Sequence, residues 1–346
     1  MEDKNVLEII EDIKRKYGKS ADINTRIIKK ENKNIGIIFL ESSSNASTIS
    51  DFIVKSVIKE NSVFKTVFNT LENKLYNSQL FVTYNYEDFP YYLSSGFTII
   101  IIDGESKAIV METRASLDRG VTEATSEPVV RGSKDSFTES HSKNLGLIRK
   151  RIKDENLWFD ELKLGRRTKT RTTIAYINDV VDKNKVDKIK NDLKKIDIDG
   201  ILDTGNIRDY LTKQKSIIPQ IKSTERPDLV CQELLNGKIV ILAENCPFAI
   251  ILPTVFLDYI KSPEDQNQKS VNTSFTRILR FLALIITILT PAIYIAIVTY
   301  DQNTIPDKLL ISLAIQREGV PFPTFFEIII FTAIFEILRE SDIRSP

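Results

Sequence analysis

The sequence predicts an α/β soluble N-terminal region of two subdomains followed by an α-helical transmembrane region, and three observations carry that prediction. From Phe281 to Tyr300 twenty residues, FLALIITILTPAIYIAIVTY, run without a charge. At ~1.5 Å per residue a helix of that length reaches about 30 Å, the thickness of a bilayer's hydrocarbon core. Upstream, between Ile35 and Leu252, short apolar runs alternate with stretches whose apolar residues recur at helical spacing, the pattern of a layered α/β domain. Charge is also uneven: Lys, Glu and Asp crowd residues 1 to 280, whereas 281 to 338 is mostly apolar. A helix buried in a soluble core usually stops sooner and keeps a polar stripe. Here only Thr287, Thr290 and Thr299 interrupt the run, with Arg277, Arg280 and Asp301 just outside it. Pro291 removes a backbone donor mid-span, which bundled membrane helices tolerate, so the span is expected to have neighbours.

Taken in order, residues 1 to 34 read as a polar helical lead-in broken at Gly18. Its start, MEDKNVLEIIEDIKRKYGKS, is acidic and lacks the basic beginning, apolar core and cleavage site of a secretory leader. Lys261, Lys269, Arg277 and Arg280 before the span, against Lys308 and Arg317 after it, place the soluble region on the cytoplasmic side. The first subdomain, 35 to 125, opens with a strand at Ile35 to Leu40. A helix follows over Ala46 to Glu60, with Ile49, Phe52, Ile53 and Val57 on one face. Gly96 to Ile102 and Lys107 to Glu112 flank Asp103-Gly104, a dipeptide suited to a tight hairpin turn. The second subdomain and its linker, 126 to 270, begin with a helix whose stripe is Leu145, Ile148 and Ile152. Leu157 to Leu164 and Thr170 to Ile177 then pair as strands across Gly165-Arg166-Arg167. A helix carries Val186, Ile189 and Leu193, and Ile196 to Leu202 reads as a strand. Pro227 to Leu235 is a helix ended by Gly237, and Lys238 to Ala243 and Phe248 to Leu252 are strands. The membrane region, 271 to 346, holds the span at 281 to 300, a short apolar segment at 304 to 315 and a second span at 321 to 338. Glu327 and Glu336 in that second span are nine positions apart, which at ~100° per residue sets them on opposite sides of a helix.

Composition excludes several classes. With 48 basic and 47 acidic residues the net charge is +1, so nothing points to a nucleic acid partner. Cys231 and Cys246 lack metal-type or redox-type spacing and are expected as reduced, packed thiols. One histidine and no cysteine cluster leave no transition-metal site to expect. No nucleophile motif accompanies His141, expected at the surface, and neither a phosphate-binding loop nor a GxGxxG run is present. No cofactor and no catalysis are expected.

Several ordered blocks resemble the signature of the A subunit of spore germinant receptors. They are SEPVVRGSKDSFTES (Ser126 to Ser140), NLGLIRKRIKDENL (Asn144 to Leu157), GRRTKT (Gly165 to Thr170) and IDIDGILDTG (Ile196 to Gly205). PQIKSTERPD (Pro219 to Asp228), SPED (Ser262 to Asp265), IPDKLLISLAIQREGVPFP (Ile305 to Pro323) and FEILRESDIRSP (Phe335 to Pro346) continue the likeness. The resemblance implies a subunit of a nutrient-sensing complex in the spore inner membrane, multi-pass, with its N-terminal domain on the core side. It implies work with a transporter-like B subunit and a lipoprotein C subunit, reception and transduction without catalysis, self-association and contact with the lipid bilayer. Ser133 and Ser136 stand where the family usually has Pro and Gly, Glu244-Asn245-Cys246 replaces a common Asp-Gly turn, and Gln266 and Asn267 replace aromatic residues. Family members usually continue past the position of Pro346, so the alternative reading is a truncated A-type subunit acting as a non-conducting interaction or regulatory protein.

Candidate coupling or interface residues are Glu127, Arg131, Gly132, Glu225, Arg226, Glu264, Asp265, Glu327 and Glu336. The Arg131 guanidinium fork suits an acidic group across a contact, and a solvated loop charge accounts for it equally well, since an exposed ion pair contributes only about 0 to 1 kcal/mol. A helix start explains most of Thr224 to Asp228, with Pro227 in the first turn. Glu327 is sharper: an acid facing lipid mid-span costs on the order of 2.5 to 3.5 kcal/mol, so it should face protein or water, where ion passage or a protonated interhelical hydrogen bond are the two readings. Glu336, with Arg339 three positions on, fits an interfacial charge cluster.

Overall fold

A computed structural model describes residues 5–30, 33–59, 68, 79–116, 132–212, 220–262, 265, 270–300, 306–319 and 321–344. It divides into two compact units, Met1–Tyr259 and Ile260–Pro346. The first unit is built on two five-stranded sheets, antiparallel throughout. Strands β1 (Ile23–Lys30), β2 (Lys33–Leu40), β3 (Leu80–Thr83), β4 (Phe97–Ile102) and β5 (Ala108–Glu112) form one, in the order β1-β2-β4-β5-β3. Strands β6 (Leu157–Leu164), β7 (Thr170–Ile177), β8 (Lys222–Thr224), β9 (Ile239–Ala243) and β10 (Ala249–Leu252) form the other, in the order β6-β7-β9-β10-β8.

Both faces of each sheet are covered, which is why the central strands read as unbroken apolar runs. In β4, Ile99 and Ile101 face the helices Val6–Lys16 and Phe89–Ser94, while Ile100 and Ile102 face Ile49, Ile53 and Val57 on the other side. In β9, Val240 and Leu242 pack with the helices His141–Arg151 and Pro227–Leu235, while Ile239 and Ile241 pack toward Lys183–Lys194 and Thr204–Leu211. The two-residue period of a strand delivers alternate side chains to opposite layers.

Several expectations are met closely. The β6–β7 pair joins Leu164 to Thr170 across the basic turn, and the β4–β5 hairpin turns through Gly104 at φ +76°. Others are corrected. The segment 1 to 34 is no separate lead-in: its helix buries Val6, Ile9, Ile10 and Ile13 in the first core, and β1 is an edge strand of the first sheet. Ile196 to Leu202 is not a strand, because its backbone serves the turn beside it: Ile198 O accepts from Arg166 N (2.9 Å) and Asp199 O from Arg167 N (2.8 Å). The helix from Ala46 passes through a π-helical stretch, Ile49–Val54, before Lys55–Lys59.

In the second unit the helix Ser270–Thr299 runs through Pro291 without a break. Its apolar side chains are bare in the isolated chain, Ile286 at 61% and Ile288 at 66% exposure, the opposite of a soluble core helix. The hydroxyls of Thr287 and Thr290 donate to the carbonyls four residues back (2.7 and 2.6 Å), so these polar groups are satisfied within the helix. Among the described residues this is the one helix long and apolar enough to cross a membrane. Where the second crossing is expected, at 321 to 338, the helix is Thr324–Arg344: an apolar stretch lies between Glu327 and Glu336, and Arg339, Glu340 and Asp342 follow it. This helix packs along the Ser270–Thr299 helix. The short segment at 304 to 315 contains the helix Asp307–Arg317.

Candidate functional site

Signature blocks of the first unit, scattered in sequence, meet in the fold. Phe137 N donates to Glu225 O at 2.8 Å, tying the first block to TERPD. Arg226 is fully buried. Its guanidinium forks onto Asp228 (Nε to Oδ1 3.2 Å, Nη2 to Oδ2 2.7 Å) and donates to Ser133 O at 3.0 Å. Arg151 reaches the same loop, to Asp135 Oδ2 at 2.8 Å and Ser133 Oγ at 2.9 Å. Ser133, the departure from the family's Pro, is therefore used twice. Gly132 has φ +138°, where a side chain is strained. Glu225, 6% exposed, belongs to the same cluster, which also starts the Pro227–Leu235 helix with Pro in its first turn. Glu127, Arg131 and Glu264 lie outside the described residues.

A second convergence was not expected from the sequence. Arg149, in NLGLIRKRIKDENL, is 0% exposed and joins the two subdomains. Its Nε and Nη2 donate to the two oxygens of Asp22 at 3.0 and 3.1 Å, and Nη1 donates to Asp154 O at 3.2 Å. Ser20 and Ser42 donate to the same carboxylate at 2.8 Å each. The guanidinium carbon lies 5.3 Å from the Tyr17 ring centroid and 4.5 Å from that of Phe159. Burial alone would raise the Asp22 pKa, but the Arg149 charge and these hydrogen bonds outweigh it and hold the carboxyl below its ordinary value. The loop presenting Asp22 is fastened by Ala21 N to Phe159 O (2.8 Å), Phe159 N to Ser20 Oγ (2.9 Å) and Trp158 Nε1 to Lys16 O (3.3 Å). One signal for Arg149 does exist in the sequence: with Leu145, Ile148 and Ile152 it completes an i, i+3, i+4, i+7 stripe, so a charge stands on the core face.

GRRTKT meets IDIDGILDTG in the same manner. Thr170 Oγ1 donates to Ile201 O at 2.7 Å, and Ile201 N donates to Thr168 Oγ1 at 3.1 Å. Asn245, in place of the family's turn glycine, takes φ +64°, and the following Cys246 Sγ donates to Asp203 Oδ1 at 2.7 Å. Burial and that bond push the Cys246 thiol up, and burial pushes the Cys231 thiol to about 12, so both are inert packed thiols. His141 is corrected from surface to interior: it is 4% exposed, with Nε2 2.8 Å from Thr173 Oγ1, and burial lowers its pKa.

In the second unit, Asp265 of SPED is 5% exposed and clamped. Arg280 forks onto it (Nη2 to Oδ1 2.9 Å, Nη1 to Oδ2 3.0 Å), Arg277 Nε adds 3.0 Å to Oδ2, and Ser262 N donates at 3.2 Å. Burial would raise its pKa, but the Arg280 and Arg277 bonds win and lower it. Arg280 Nη1 also donates to Ile260 O at 3.1 Å. Glu327 sits one turn into the Thr324–Arg344 helix, half-buried, with its N donating to Pro323 O at 3.1 Å. Glu336 is exposed and paired with Arg339. The structure does not bring Glu327 and Glu336 together with each other.

Among the described residues no group of three or more His, Cys, Asp or Glu side chains is placed to hold a metal.

The family model for the Bacillus/Clostridium GerA spore germination protein matches residues 11–346. Spore germination protein KA of Bacillus subtilis is 32% identical over 343 residues, 97% of this chain and 63% of that protein. Spore germination protein GerLA of Bacillus cereus is 31% identical over 350 residues, 99% of this chain and 70% of that one. The chain thus spans about two thirds of the length of these relatives. The crystal structure of the N-terminal domain of the A subunit of the Bacillus megaterium spore germinant receptor GerK3 superposes with a TM-score of 0.57 at 31% identity. That match covers 73% of this chain and 96% of that one. With the joined motif blocks, the two antiparallel sheets and the apolar helix that follows them, these matches establish that the chain belongs to the GerA spore germination protein family.

Proposed function

We propose that this chain acts as the A-type subunit of a membrane nutrient-germinant receptor, passing a nutrient-dependent state of its soluble unit to membrane helices. Its proposed setting is the spore inner membrane with the soluble unit on the core side, and its proposed partners are transporter-like B and lipoprotein C subunits and further copies of itself. The observation that supports coupling is the Asp265 clamp. A buried carboxylate held by Arg277 and Arg280 ties Asp265 of SPED to the head of the apolar helix, and removing either arginine leaves that carboxylate buried with less to compensate it. Movement of the segment therefore carries the helix or breaks the clamp, which is the two-state element that coupling between sites requires. Glu327 on the neighbouring helix is the proposed membrane-side residue, since an acid in a mostly apolar stretch persists where protein or water receives it.

The test is Asp265→Asn in spores. At wild-type protein levels in the membrane, nutrient-triggered germination should slow by about tenfold, within the range of coupling energies; an unchanged response would remove the clamp from the mechanism. Glu327→Gln serves as a second arm, and nutrient-triggered ion release that stays unchanged would exclude that residue.

A further inference from the structure

A cleft of about 450 Å³ opens within the first unit between its two subdomains. Ser43, Ser95 and Arg114 line it from the first subdomain, Lys150 and Lys153 from the second. Two features distinguish it from a solvated surface dent. Ser43 is 5% exposed, yet its hydroxyl has no hydrogen-bond partner among the described residues, and the buried Ser95 hydroxyl is in the same condition. A buried polar group left unmade costs about 1 to 3 kcal/mol, so two such hydroxyls at one cleft call for a ligand or water to complete them. The cationic side chains are also positioned. Arg114 Nε donates to Ser95 O at 3.0 Å and lies 3.3 Å from Glu112, its guanidinium carbon sits 5.0 Å from the Phe97 ring centroid, and Lys153 Nζ lies 5.0 Å from that of Tyr91. At Gly96, φ +85°, an added Cβ would fall 2.8 Å from Ser43 O and 2.9 Å from Arg114 Cγ, so glycine there lets the two lining segments close on each other.

We propose that this cleft binds a small oxyanion, a phosphoryl or carboxylate group, with the Ser43 and Ser95 hydroxyls donating and Arg114, Lys150 and Lys153 supplying the charge. Charge-assisted hydrogen bonds of this kind are the stronger ones. Arg114, Lys150 and Lys153 are the charged side chains among the described residues that line it. An oxyanion touching both sides would add a bridge between the subdomains next to the Asp22–Arg149 joint. The site goes beyond the receptor reading and is tested without it.

The experiment uses the full chain in detergent, titrated with inorganic phosphate and separately with acetate at constant ionic strength made up with chloride. Calorimetry should give saturable binding at about 1 mM or tighter for at least one of them. Lys153→Gln and Ser43→Ala should each weaken it at least about fivefold, the scale of one hydrogen bond, with the unliganded melting temperature unchanged. Lys188→Gln, on the exposed face of the Lys183–Lys194 helix, should leave it alone. Tighter phosphate binding assigns a phosphoryl group and tighter acetate binding a carboxylate. Absence of saturation by either anion up to about ten millimolar, or binding that survives both cleft substitutions in folded protein, overturns the proposal.

Discussion

At the scale of single residues the Arg149–Asp22 pair matters most, because neither group is exposed to water. Arg149→Met strands the Asp22 carboxylate among apolar groups and should cost about 3 to 5 kcal/mol in urea unfolding. Asp22→Asn combined with Arg149→Met should cost less than the sum of the two, a coupling that a double-mutant cycle reads directly. The pH sign follows from the lowered Asp22 pKa. The carboxylate's contribution is fully present above the unfolded value, about 3.9, and is lost as pH falls through the lower folded value. The pair is therefore intact at neutral pH, and Asp22→Asn should flatten the acid limb of the stability curve. Gly18 is the second sensitive residue: φ is +58°, and a Cβ would sit 2.2 Å from the Trp158 ring, whereas at Gly104 it would meet only Lys33 Nζ at 3.8 Å. Gly18→Ala should lose several-fold more stability than Gly104→Ala, which carries backbone strain alone, about 1 kcal/mol. Arg149 was legible as a charge on an apolar stripe; Asp22 was not, since its partner lies 127 positions away and local pattern carries no such information.

Elements were legible where local chemistry decides them. The β4–β5 and β6–β7 hairpins follow from turn residues flanked by apolar runs, and Gly237 at φ +79° ends the Pro227–Leu235 helix as the sequence suggests. Edge elements were not legible. The strand β1, INTRIIKK, is half polar and acquires its conformation from pairing with β2, and β8 spans only Lys222–Thr224. The stretch 196 to 202 misled because apolar residues alternate there while its carbonyls serve a turn. At the second expected crossing the apolar count takes no account of the charges that follow Phe335. The β9–β10 turn offers a check at this scale. Asn245 adopts φ +64°, a conformation glycine takes freely and asparagine tolerates. Asn245→Gly should therefore be close to neutral and Asn245→Ala should cost about 1 kcal/mol in thermal unfolding.

Over the whole soluble unit, the two sheets share one plan. Helix, hairpin, helix, strand, helix, hairpin recurs, and both sheets order their strands first, second, fourth, fifth, third. The corresponding helices cover corresponding faces: Val6–Lys16 and Phe89–Ser94 in the first half, His141–Arg151 and Pro227–Leu235 in the second. Each half buries its own apolar residues on both sheet faces, which is what independent folding requires. Among the described residues, polar contacts bind the halves: Asp22 with Arg149, Ser20 with Phe159, and the Trp158 indole on Lys16. Inter-domain contacts of that kind allow relative motion unless a specific group holds them. Calorimetry of residues 1 to 262 should accordingly show one transition in the wild type. With Arg149→Met it should separate into two, one for each half, because each core survives while the joint does not. A single transition merely displaced to lower temperature would mean that the halves are one cooperative unit, and that any signal crossing between them travels through the shared packing rather than through a breakable joint.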